Sequence, residues 1–300
     1  MFVRERSSNT GLYSHPRLWT VAPDRSRLHP VLGPGATGND SDPAWSPDGS
    51  AIAFIHRERH RSAGRLFTVG TNGSHLVQLT PPWLDASGPS WSPDGTRIVF
   101  SANGTRSHRR SGWDQIWLVN VDGSHLHALT RSPREHLDPD WSPDGTQIAY
   151  ERVHQVFTFQ RTDRTGNIHV KGLDLGDGRA ITDMIAGHEA FGPVWSPGGS
   201  EILFETYRNS FSPFGTKLWT ANADGSDAVE VRHVFGLTYD LSAVWSPGGR
   251  EILVSENGAS RRGFWTHLLL MRSDGSHVRR LLAKRNEFLF QPDWTTLPPA

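Results

Sequence analysis

A ten-residue phrase that begins with tryptophan recurs five times along the chain. The copies read WSPDGSAIAF from Trp45, WSPDGTRIVF from Trp91, WSPDGTQIAY from Trp141, WSPGGSEILF from Trp195 and WSPGGREILV from Trp245. Successive copies lie about 50 residues apart, a period at which each repeat holds four short strands and makes one propeller blade. The sequence therefore predicts a repeat protein made of small sheets.

The residues that follow each tryptophan predict a tight turn and then a strand. After Trp45, Ser-Pro-Asp-Gly places proline at the second turn position and glycine where a positive φ is favoured. Ile52 and Phe54 then alternate with small residues at the period of two that is typical of a half-buried strand. A second reversal at Asn72-Gly73 joins a third strand to a fourth.

The two ends of the chain each carry part of one further repeat. Residues 2–32 match the second, third and fourth strands of a blade, whereas residues 291–295 repeat only the Pro-x-Trp beginning, with Trp294. We expect this C-terminal strand to pair with the N-terminal blade and close a ring, which removes exposed sheet edges. The predicted fold is all-β: a single domain over residues 1–300, a six-bladed β-propeller of four-stranded antiparallel blades. The predicted blades are 292–296 with 2–32, 43–80, 89–130, 139–182, 193–232 and 243–282.

Composition limits the classes of function. The formal net charge is zero, which argues against a nucleic-acid partner held by bulk electrostatics. No apolar run approaches the ~20 residues of a transmembrane segment, and the absence of cysteine excludes covalent cysteine chemistry. If Met1 is the native start, we expect a cytoplasmic protein; if a leader preceded it, we expect a periplasmic or secreted one. We expect a monomer.

The repeat resembles a known family. The phrase Pro-x-Trp-Ser-Pro-Asp-Gly-x-x-Ile-Ala-Phe, followed by a hydrophobic strand and Asp-Gly-Ser-x-x-x-x-Leu-Thr, is similar to the TolB-type, WD40-like propeller repeat over residues 2–296. The resemblance implies a platform for partner proteins, as in TolB, a gate before a hydrolase domain, as in prolyl-oligopeptidase relatives, or a metal-dependent catalytic unit, as in oligogalacturonate lyases. These residues include neither TolB's N-terminal α/β domain nor a hydrolase domain, and fold does not settle function.

The loops after the second and fourth strands of every blade are expected on one face, which we call the variable face. Its loops within blades are 57–64, 101–114, 151–166, 205–216 and 255–266, and its inter-blade segments are 33–42, 81–88, 131–138, 183–192, 233–242 and 283–291. Trp83, Trp113 and Trp265 lie in these loops, where they form either an aromatic platform for a ligand or a cover over blade edges. The tryptophans that open the repeats are instead expected in the core between blades.

The inter-blade segments lead into the innermost strands, so their polar residues are expected around the mouth of the central channel. Every blade contributes a carboxylate there, namely Asp40, Asp85, Asp138, Glu189, Asp240 and Glu287. Converging negative charges repel one another unless a cation, a ligand amine or arginines neutralise them, so this ring is the predicted ligand and metal site. The resemblance to TolB implies Ca²⁺ or a partner peptide in the channel, although no cofactor is required. The alternative is a hydrated pore balanced by arginines.

Three histidines of the inter-blade segments, His136, His188 and His233, support a second hypothesis. As metal ligands or as a base, they would serve a metal-assisted lyase or hydrolase acting on an acidic saccharide, as the lyase resemblance implies. The arginines that would hold substrate carboxylates are Arg106, Arg109 and Arg262. The histidine spacing is not a metal motif, and no nucleophile elbow, zinc helix or phosphate loop occurs. The favoured prediction is a non-catalytic platform that captures a protein segment or small ligand at the channel mouth, with His136 and His188 among the ligand contacts.

Overall fold

The computed structural model describes residues 2–6, 17–20, 29–32, 38–58, 63–104, 113–157, 162–174, 176, 178–185, 187–208, 216–233, 238–260, 263–285, 287–290 and 292–294. These residues form strands, turns and bends, and none of them is helical. The described part accordingly contains no helix long and apolar enough to cross a membrane. The predicted all-β class is confirmed.

The strands pair in antiparallel units of four. Unit 1 comprises β4 (Asn39–Trp45), β5 (Ala51–Arg57), β6 (Arg65–Gly70) and β7 (Val77–Gln78). Unit 2 comprises β8 (Leu84–Trp91), β9 (Arg97–Gly104), β10 (Gln115–Asn120) and β11 (His127–Ala128). Unit 3 comprises β12 (Glu135–Trp141), β13 (Gln147–Phe157), β14 (Thr162–Gly172) and β15 (Arg179–Ala180).

The remaining units follow the same order. Unit 4 comprises β16 (His188–Trp195), β17 (Glu201–Arg208), β18 (Lys217–Asn222) and β19 (Val229–His233). Unit 5 comprises β20 (Thr238–Trp245), β21 (Glu251–Ser260), β22 (Gly263–Arg272) and β23 (Arg279–Arg285). Unit 6 combines both ends of the chain and comprises β24 (Glu287–Phe290), β1 (Phe2–Arg6), β2 (Arg17–Thr20) and β3 (His29–Pro30).

The predicted Ser-Pro-Asp-Gly turn is confirmed, and its aspartate stabilises it. Gly49 N donates to Ser46 O at 2.9 Å, and Gly49 has a φ of 69°. The Asp48 carboxylate accepts hydrogen bonds from Ser46 Oγ at 2.6 Å and from Ser50 N at 3.0 Å. These bonds stabilise the ionised form and lower the pKa of Asp48. Turn chemistry therefore explains this aspartate without a ligand.

The sheets pack against one another along their first strands. β4 contacts β8, the contacts continue through β12, β16, β20 and β24, and unit 6 contacts β4 through β1 and β2. At the first boundary, Ile55 of unit 1 packs with Leu84 and Phe100 of unit 2. Trp91 lies beside them, and its Nε1 donates to Ala44 O of unit 1 at 3.0 Å. The predicted location of the repeat tryptophans between units is confirmed at this boundary.

A β-bulge interrupts the first strand in units 1 to 4, immediately before a proline. Asp42 and Asp138 have φ values of 50° and 49° there, and the glycines of units 2 and 4 at the same position, Gly88 and Gly192, have 54° and 58°. This left-handed conformation favours glycine or a short polar side chain. A bulge changes the direction of the side chain that it contains. Because of the bulge, the side chains of Asp42 and Asp138 do not follow the ordinary alternation of their strands.

The chain ends meet through a segment other than the predicted one. We expected residues 291–295, with Trp294, to pair with the N-terminal strand. Instead β24 pairs with β1, with Phe290 opposite Val3 and Glu287 opposite Arg6. The Pro-x-Trp segment follows β24, and Asp293 Oδ2 accepts a hydrogen bond from the backbone amide of Trp45 at 2.6 Å. The pairing segment was predicted incorrectly because the strand, β24, begins several residues before the Pro-x-Trp motif.

The same error affects the other repeats. The first strands of units 1 to 5 begin at residues 39, 84, 135, 188 and 238, before the predicted blade starts at 43, 89, 139, 193 and 243. The second halves of the inter-blade segments are therefore strand rather than loop. Loops 151–166 and 255–266 are also mostly strand, because β13 with β14 and β21 with β22 form long hairpins. One parallel pair, Gly166 with Glu189, joins units 3 and 4 into an eight-stranded sheet. The assignment of the whole chain to a single domain stays a prediction.

Candidate functional site

Carboxylates from units 1 to 4 come together near the beginnings of the first strands, and their charges act on one another in one connected network. We call this set the acidic cluster; its members are Asp42, Asp85, Asp114, Glu135, Asp138, Glu151 and Glu189. Three of the predicted ring carboxylates, Asp85, Asp138 and Glu189, belong to it. The sequence prediction missed the other members as site residues.

Asp138 is the bulge residue of unit 3 and the most accessible carboxylate of the cluster. Its amide donates to Ser101 Oγ of unit 2 at 3.0 Å, which holds its backbone against the neighbouring unit. Asp138 is exposed as a whole residue, yet surrounding protein displaces the hydration of its carboxylate. This loss of hydration, together with the charges of Asp42 and Asp114, raises the pKa of Asp138 to about 6. Asp138 therefore takes up a proton in mildly acidic solution.

Asp114 lies just before β10 and is the second member with a shifted pKa. Loss of hydration and the charges of Glu135 and Asp85 raise its pKa to about 6, although a hydrogen bond with the Asn103 side chain opposes the shift. Asp85, which we predicted as a ligand contact, accepts a hydrogen bond from Gly64 N at 2.6 Å through Oδ1. Unit 2 therefore contributes two aspartates to the cluster, and the charge of Asp85 acts on Asp114.

Glu151 lies on β13 and is as deeply buried as Glu189, with an exposed fraction of 3%. Its Oε1 has no hydrogen-bond partner in the described part of the chain. A Cβ on Gly166 would stand 2.6 Å from this oxygen, so the glycine provides the space in which Oε1 lies. Burial, and then the charges of Asp138 and Glu189, raise the pKa of Glu151 well above its ordinary value, whereas Arg164 opposes the shift. Glu151 therefore keeps its proton to higher pH than an ordinary glutamate.

Arg164 supplies positive charge to the cluster from β14. Its Nη2 lies 3.2 Å from Glu135 Oε2, and its Nε lies 3.4 Å from Glu189 Oε1. The Tyr207 hydroxyl donates to Glu189 Oε2 at 2.8 Å. Burial and this hydrogen bond raise the pKa of Tyr207, so the phenol remains a donor at neutral pH. Glu189, one of the predicted ligand contacts, is thus held by partners from units 3 and 4.

Asp40, the predicted ring carboxylate of unit 1, lies outside the acidic cluster. It is fully buried, and its Oδ1 lies 2.8 Å from His56 Nδ1 while its Oδ2 lies 3.5 Å from Arg17 Nη1. Removal of either partner would leave the buried Asp40 carboxylate without compensation, so these contacts hold it in place. The role of Asp40 as a ligand or metal contact stays a prediction, and in this structure the bulge at Asp42 gives the two side chains different directions.

The predicted metal site remains untested. Asp240 lies opposite Asn257 on β20, and Glu287 lies opposite Arg6 on β24. The structure describes only the backbone of Asp240 and Glu287. Among the described residues, no group of three or more histidine, aspartate or glutamate side chains is arranged as a metal site. Ca²⁺ binding therefore stays a prediction.

The histidines of the enzyme hypothesis lie on separate strands rather than in loops. His136 on β12 is fully buried, with its Nε2 3.2 Å from Ser132 Oγ and its ring 5.4 Å from that of Tyr150. His188 lies on β16, the first strand of unit 4, whereas His233 ends β19, the last strand of that unit. First and last strands lie at opposite edges of a four-stranded sheet, so the structure does not bring these three residues together. Arg106, Arg109 and Arg262 lie outside the described residues.

The three loop tryptophans lie in units 2 and 5, and their role as a ligand platform stays a prediction. Trp83 packs edge-on against Trp117, with ring centroids 6.2 Å apart and an interplanar angle of 67°. Trp265 lies within β22 rather than in a loop, 4.8 Å from the ring of His267. Trp113 is half-buried before β10, and its carbonyl accepts a hydrogen bond from Gln115 Nε2 at 3.3 Å. The contact of Trp83 with Trp117 supports the alternative that Trp83 covers a blade edge.

Four-stranded antiparallel units that repeat a Pro-x-Trp or related motif at or after the end of the first strand, and that pack along their first strands, define the class of β-propeller proteins. The chain belongs to the TolB β-propeller family, since the family described as "PD40: TolB beta propeller domain" matches residues 34–247. A comparison with curated proteins found no match.

Solved structures agree with this family. The putative TolB from Agrobacterium tumefaciens matches at 19% identity with a TM-score of 0.64, covering 96% of each chain. TolB from Acinetobacter baumannii matches at 17% identity with a TM-score of 0.72, covering 97% of this chain and 65% of that one. An oligogalacturonate lyase in complex with manganese matches at 12% identity with a TM-score of 0.60, covering 89% and 70%. At these identities the likeness shows the fold alone.

Proposed function

We propose that the protein is a non-catalytic binding platform that captures a protein segment or a small ligand at the acidic cluster. The observation that supports this role is the cluster itself, in which carboxylates of four units approach one another and Glu151 keeps an oxygen without a hydrogen-bond partner. A ligand there would contact several units at once on a rigid scaffold. The TolB family membership agrees with a binding role.

We further infer that the units are six blades of a closed ring, with the acidic cluster at the mouth of its channel. The first strands contact one another in chain order from β4 to β24, and unit 6 contacts β4. The pairing of β24 with β1 and the hydrogen bond from Trp45 N to Asp293 support closure at the chain ends. Together these contacts supply the cyclic order that such a ring requires.

Peptide display tests the platform. Peptides selected from a random library on the wild-type protein should bind the double variant Asp42→Asn/Asp138→Asn about tenfold more weakly, because paired charges at an interface control affinity. Asparagine tolerates the left-handed conformation of both positions, so the backbone is preserved. The matched control is Asp122→Asn/Asp274→Asn, which removes the same charge from exposed turns outside the cluster. Equal binding by the wild type and both double variants would contradict the proposal.

The structure gives less support to a metal-assisted lyase or hydrolase. Its candidate bases, His136, His188 and His233, are separated, and His136 is fully buried. The manganese-bound lyase is similar in fold at 12% identity, which carries no chemistry to this chain. Metal analysis of the purified protein tests this alternative: stoichiometric manganese or zinc would favour the enzyme.

A further inference from the structure

We propose that the acidic cluster binds a cationic group of a partner peptide, a guanidinium or an ammonium, beside Glu151 and Asp138. This inference rests on the proposed function and adds the chemical class of the ligand.

The first observation is the charge of the cluster. Arg164 contacts Glu135 and Glu189, at 3.2 and 3.4 Å, and so already places one planar guanidinium between carboxylates of units 3 and 4. The remaining network includes Asp114 and Asp138. Lost hydration and neighbouring carboxylates disfavour the ionised form of each, through Glu135 and Asp85 at Asp114 and through Asp42 and Asp114 at Asp138. A second cation would relieve this repulsion, and guanidinium groups match paired carboxylates well.

The second observation is independent of charge. Glu151 is 3% exposed and its Oε1 has no hydrogen-bond partner among the described residues, an arrangement that costs free energy unless a donor arrives. In the preceding repeat, Ser101 occupies the equivalent position and accepts a hydrogen bond from Asp138 N. The residue that corresponds to Asp138 in the next unit is Gly192, and a Cβ there would meet no atom within 4 Å. The bulge of unit 4 therefore has open space, and the equivalent repeat position of unit 3 carries an oxygen that lacks a donor.

The ligand is expected to be an organic cation rather than a metal ion. No described group of three or more acidic or histidine side chains is arranged as a metal site. A guanidinium or ammonium needs only one or two acceptors at hydrogen-bond distance, and it brings the N–H donors that Glu151 lacks.

Binding should be linked to protons. The groups that act on Glu151 are Glu135 and Asp138 on β12, Arg164 on β14 and Glu189 on β16, with Tyr207 on β17 bonded to Glu189. When a cation binds, the Glu151 carboxyl releases its proton to the buffer, and the carboxylate then accepts a hydrogen bond from the ligand. Asp114 and Asp138 bind the cation only when ionised, so affinity should fall as the pH drops through about 6.

Calorimetry with a defined probe tests the proposal. The probe is the peptide N-acetyl-(Gly-Arg)₃-amide, and the matched control peptide carries the neutral isostere citrulline in place of arginine. We expect the arginine peptide to bind at pH 7.5 at least about tenfold more tightly than the citrulline peptide, because only a charged donor relieves the repulsion. Two carboxylates with pKa values of about 6 imply a further loss of at least about tenfold between pH 7.5 and 5.5, and the proton that Glu151 releases on binding adds to this loss.

Two variants locate the site. Glu151→Gln should abolish proton release, seen as equal binding enthalpies in phosphate and Tris buffers, and should weaken binding of the arginine peptide about tenfold. Glu151→Ser introduces the residue that the preceding repeat carries at this position, and should behave in the same way if the glutamine variant fails to fold. Asp122→Asn should bind within about twofold of the wild type, since it removes a distant exposed charge.

The outcomes separate this inference from the platform. Equal binding of the citrulline peptide, Ca²⁺ binding without peptide binding, or unchanged binding by both Glu151 variants would overturn the cationic ligand. If peptides without cationic groups still depend on Asp42 and Asp138, the platform stands and only its ligand class is wrong. If no peptide depends on these residues, the platform itself fails.

Discussion

Asp140 Oδ2 accepts a hydrogen bond from the backbone amide of Trp195, 2.8 Å away across the boundary between units 3 and 4. Its Oδ1 accepts a second bond from Ser90 Oγ of unit 2, also at 2.8 Å. One carboxylate thus connects three consecutive units. Asp293 repeats half of this arrangement by accepting from Trp45 N between units 6 and 1.

Removal of the Asp140 carboxylate should therefore destabilise the fold. We expect Asp140→Ala to lower the free energy of unfolding by about 2–3 kcal/mol, because it leaves the Trp195 amide without its acceptor. Asp140→Asn keeps one oxygen acceptor and should lose less than half as much. Urea unfolding at pH 7.5 measures both. Identical midpoints for the alanine and asparagine variants would show that these hydrogen bonds contribute little.

The Asp138 carboxyl should make the free energy of unfolding fall as the pH rises. Its pKa is raised in the folded state, so the folded protein binds more protons than the unfolded chain between about pH 4 and 6, and stability falls as the pH rises through this window. Asp138→Asn should remove this cost and stabilise the protein by at most about 1 kcal/mol at pH 7.5, after allowance for solvent screening. The gain should disappear near pH 4.

A matched control for Asp138 exists within the chain. Asp138→Gly introduces the residue that Gly88 and Gly192 place at the same bulge, with φ values of 54° and 58°. It removes the charge without backbone strain, so it should share the pH dependence of Asp138→Asn. Thermal unfolding between pH 4 and 8 compares the variants. A pH profile parallel to that of the wild type would contradict the assigned carboxyl.

Trp83 should contribute to packing rather than to ligand capture. Its ring contacts Trp117, and we expect Trp83→Ala to cost about 2 kcal/mol of stability with peptide affinity unchanged. Trp83→Phe keeps an aromatic contact and should cost less. Parallel urea unfolding and peptide titration separate the two roles. Loss of affinity without loss of stability would restore the aromatic platform.

In two repeats a glycine replaces the turn aspartate, and restoring the aspartate there should stabilise the fold. Gly198 and Gly248 lie where Asp94 accepts hydrogen bonds from Ser92 Oγ at 2.5 Å and Thr96 N at 3.0 Å, and a Cβ at either glycine would meet no atom within 4 Å. We expect Gly198→Asp to stabilise the fold by about 0.5–1 kcal/mol through turn hydrogen bonds and reduced entropy of the unfolded chain. Gly198→Ala isolates the entropic part and should give a smaller rise in the melting temperature than Gly198→Asp.

Turn chemistry and alternation could be predicted from the sequence because they are local. The phrase after Trp45 correctly predicted the turn at Gly49 and the strand that contains Ile52 and Phe54. The beginnings of the first strands could not be predicted in this way, because a bulge at Asp42 or Asp138 interrupts their alternation.

The rest of the site depends on long-range packing. Glu151 lies on the extended hairpin of unit 3, and nothing in its local pattern indicates that it would be buried near Glu189 of the next repeat. Asp114 and Glu135 also acquire their role only when two units approach each other. One local signal of the bulge was available. Asp42 and Asp138 each precede a proline, as Gly88 does in unit 2.

The backbone pair between Gly166 and Glu189 has counterparts at the two preceding boundaries. Ala86 N donates to Gly64 O at 2.8 Å between units 2 and 1, and His136 N donates to Asp114 O at 2.9 Å between units 3 and 2. Units 1 to 4 therefore cannot shear past one another without breaking backbone hydrogen bonds at each boundary. A ligand at the acidic cluster would meet a surface whose units move together, so the ligand would have to adopt the shape of the site.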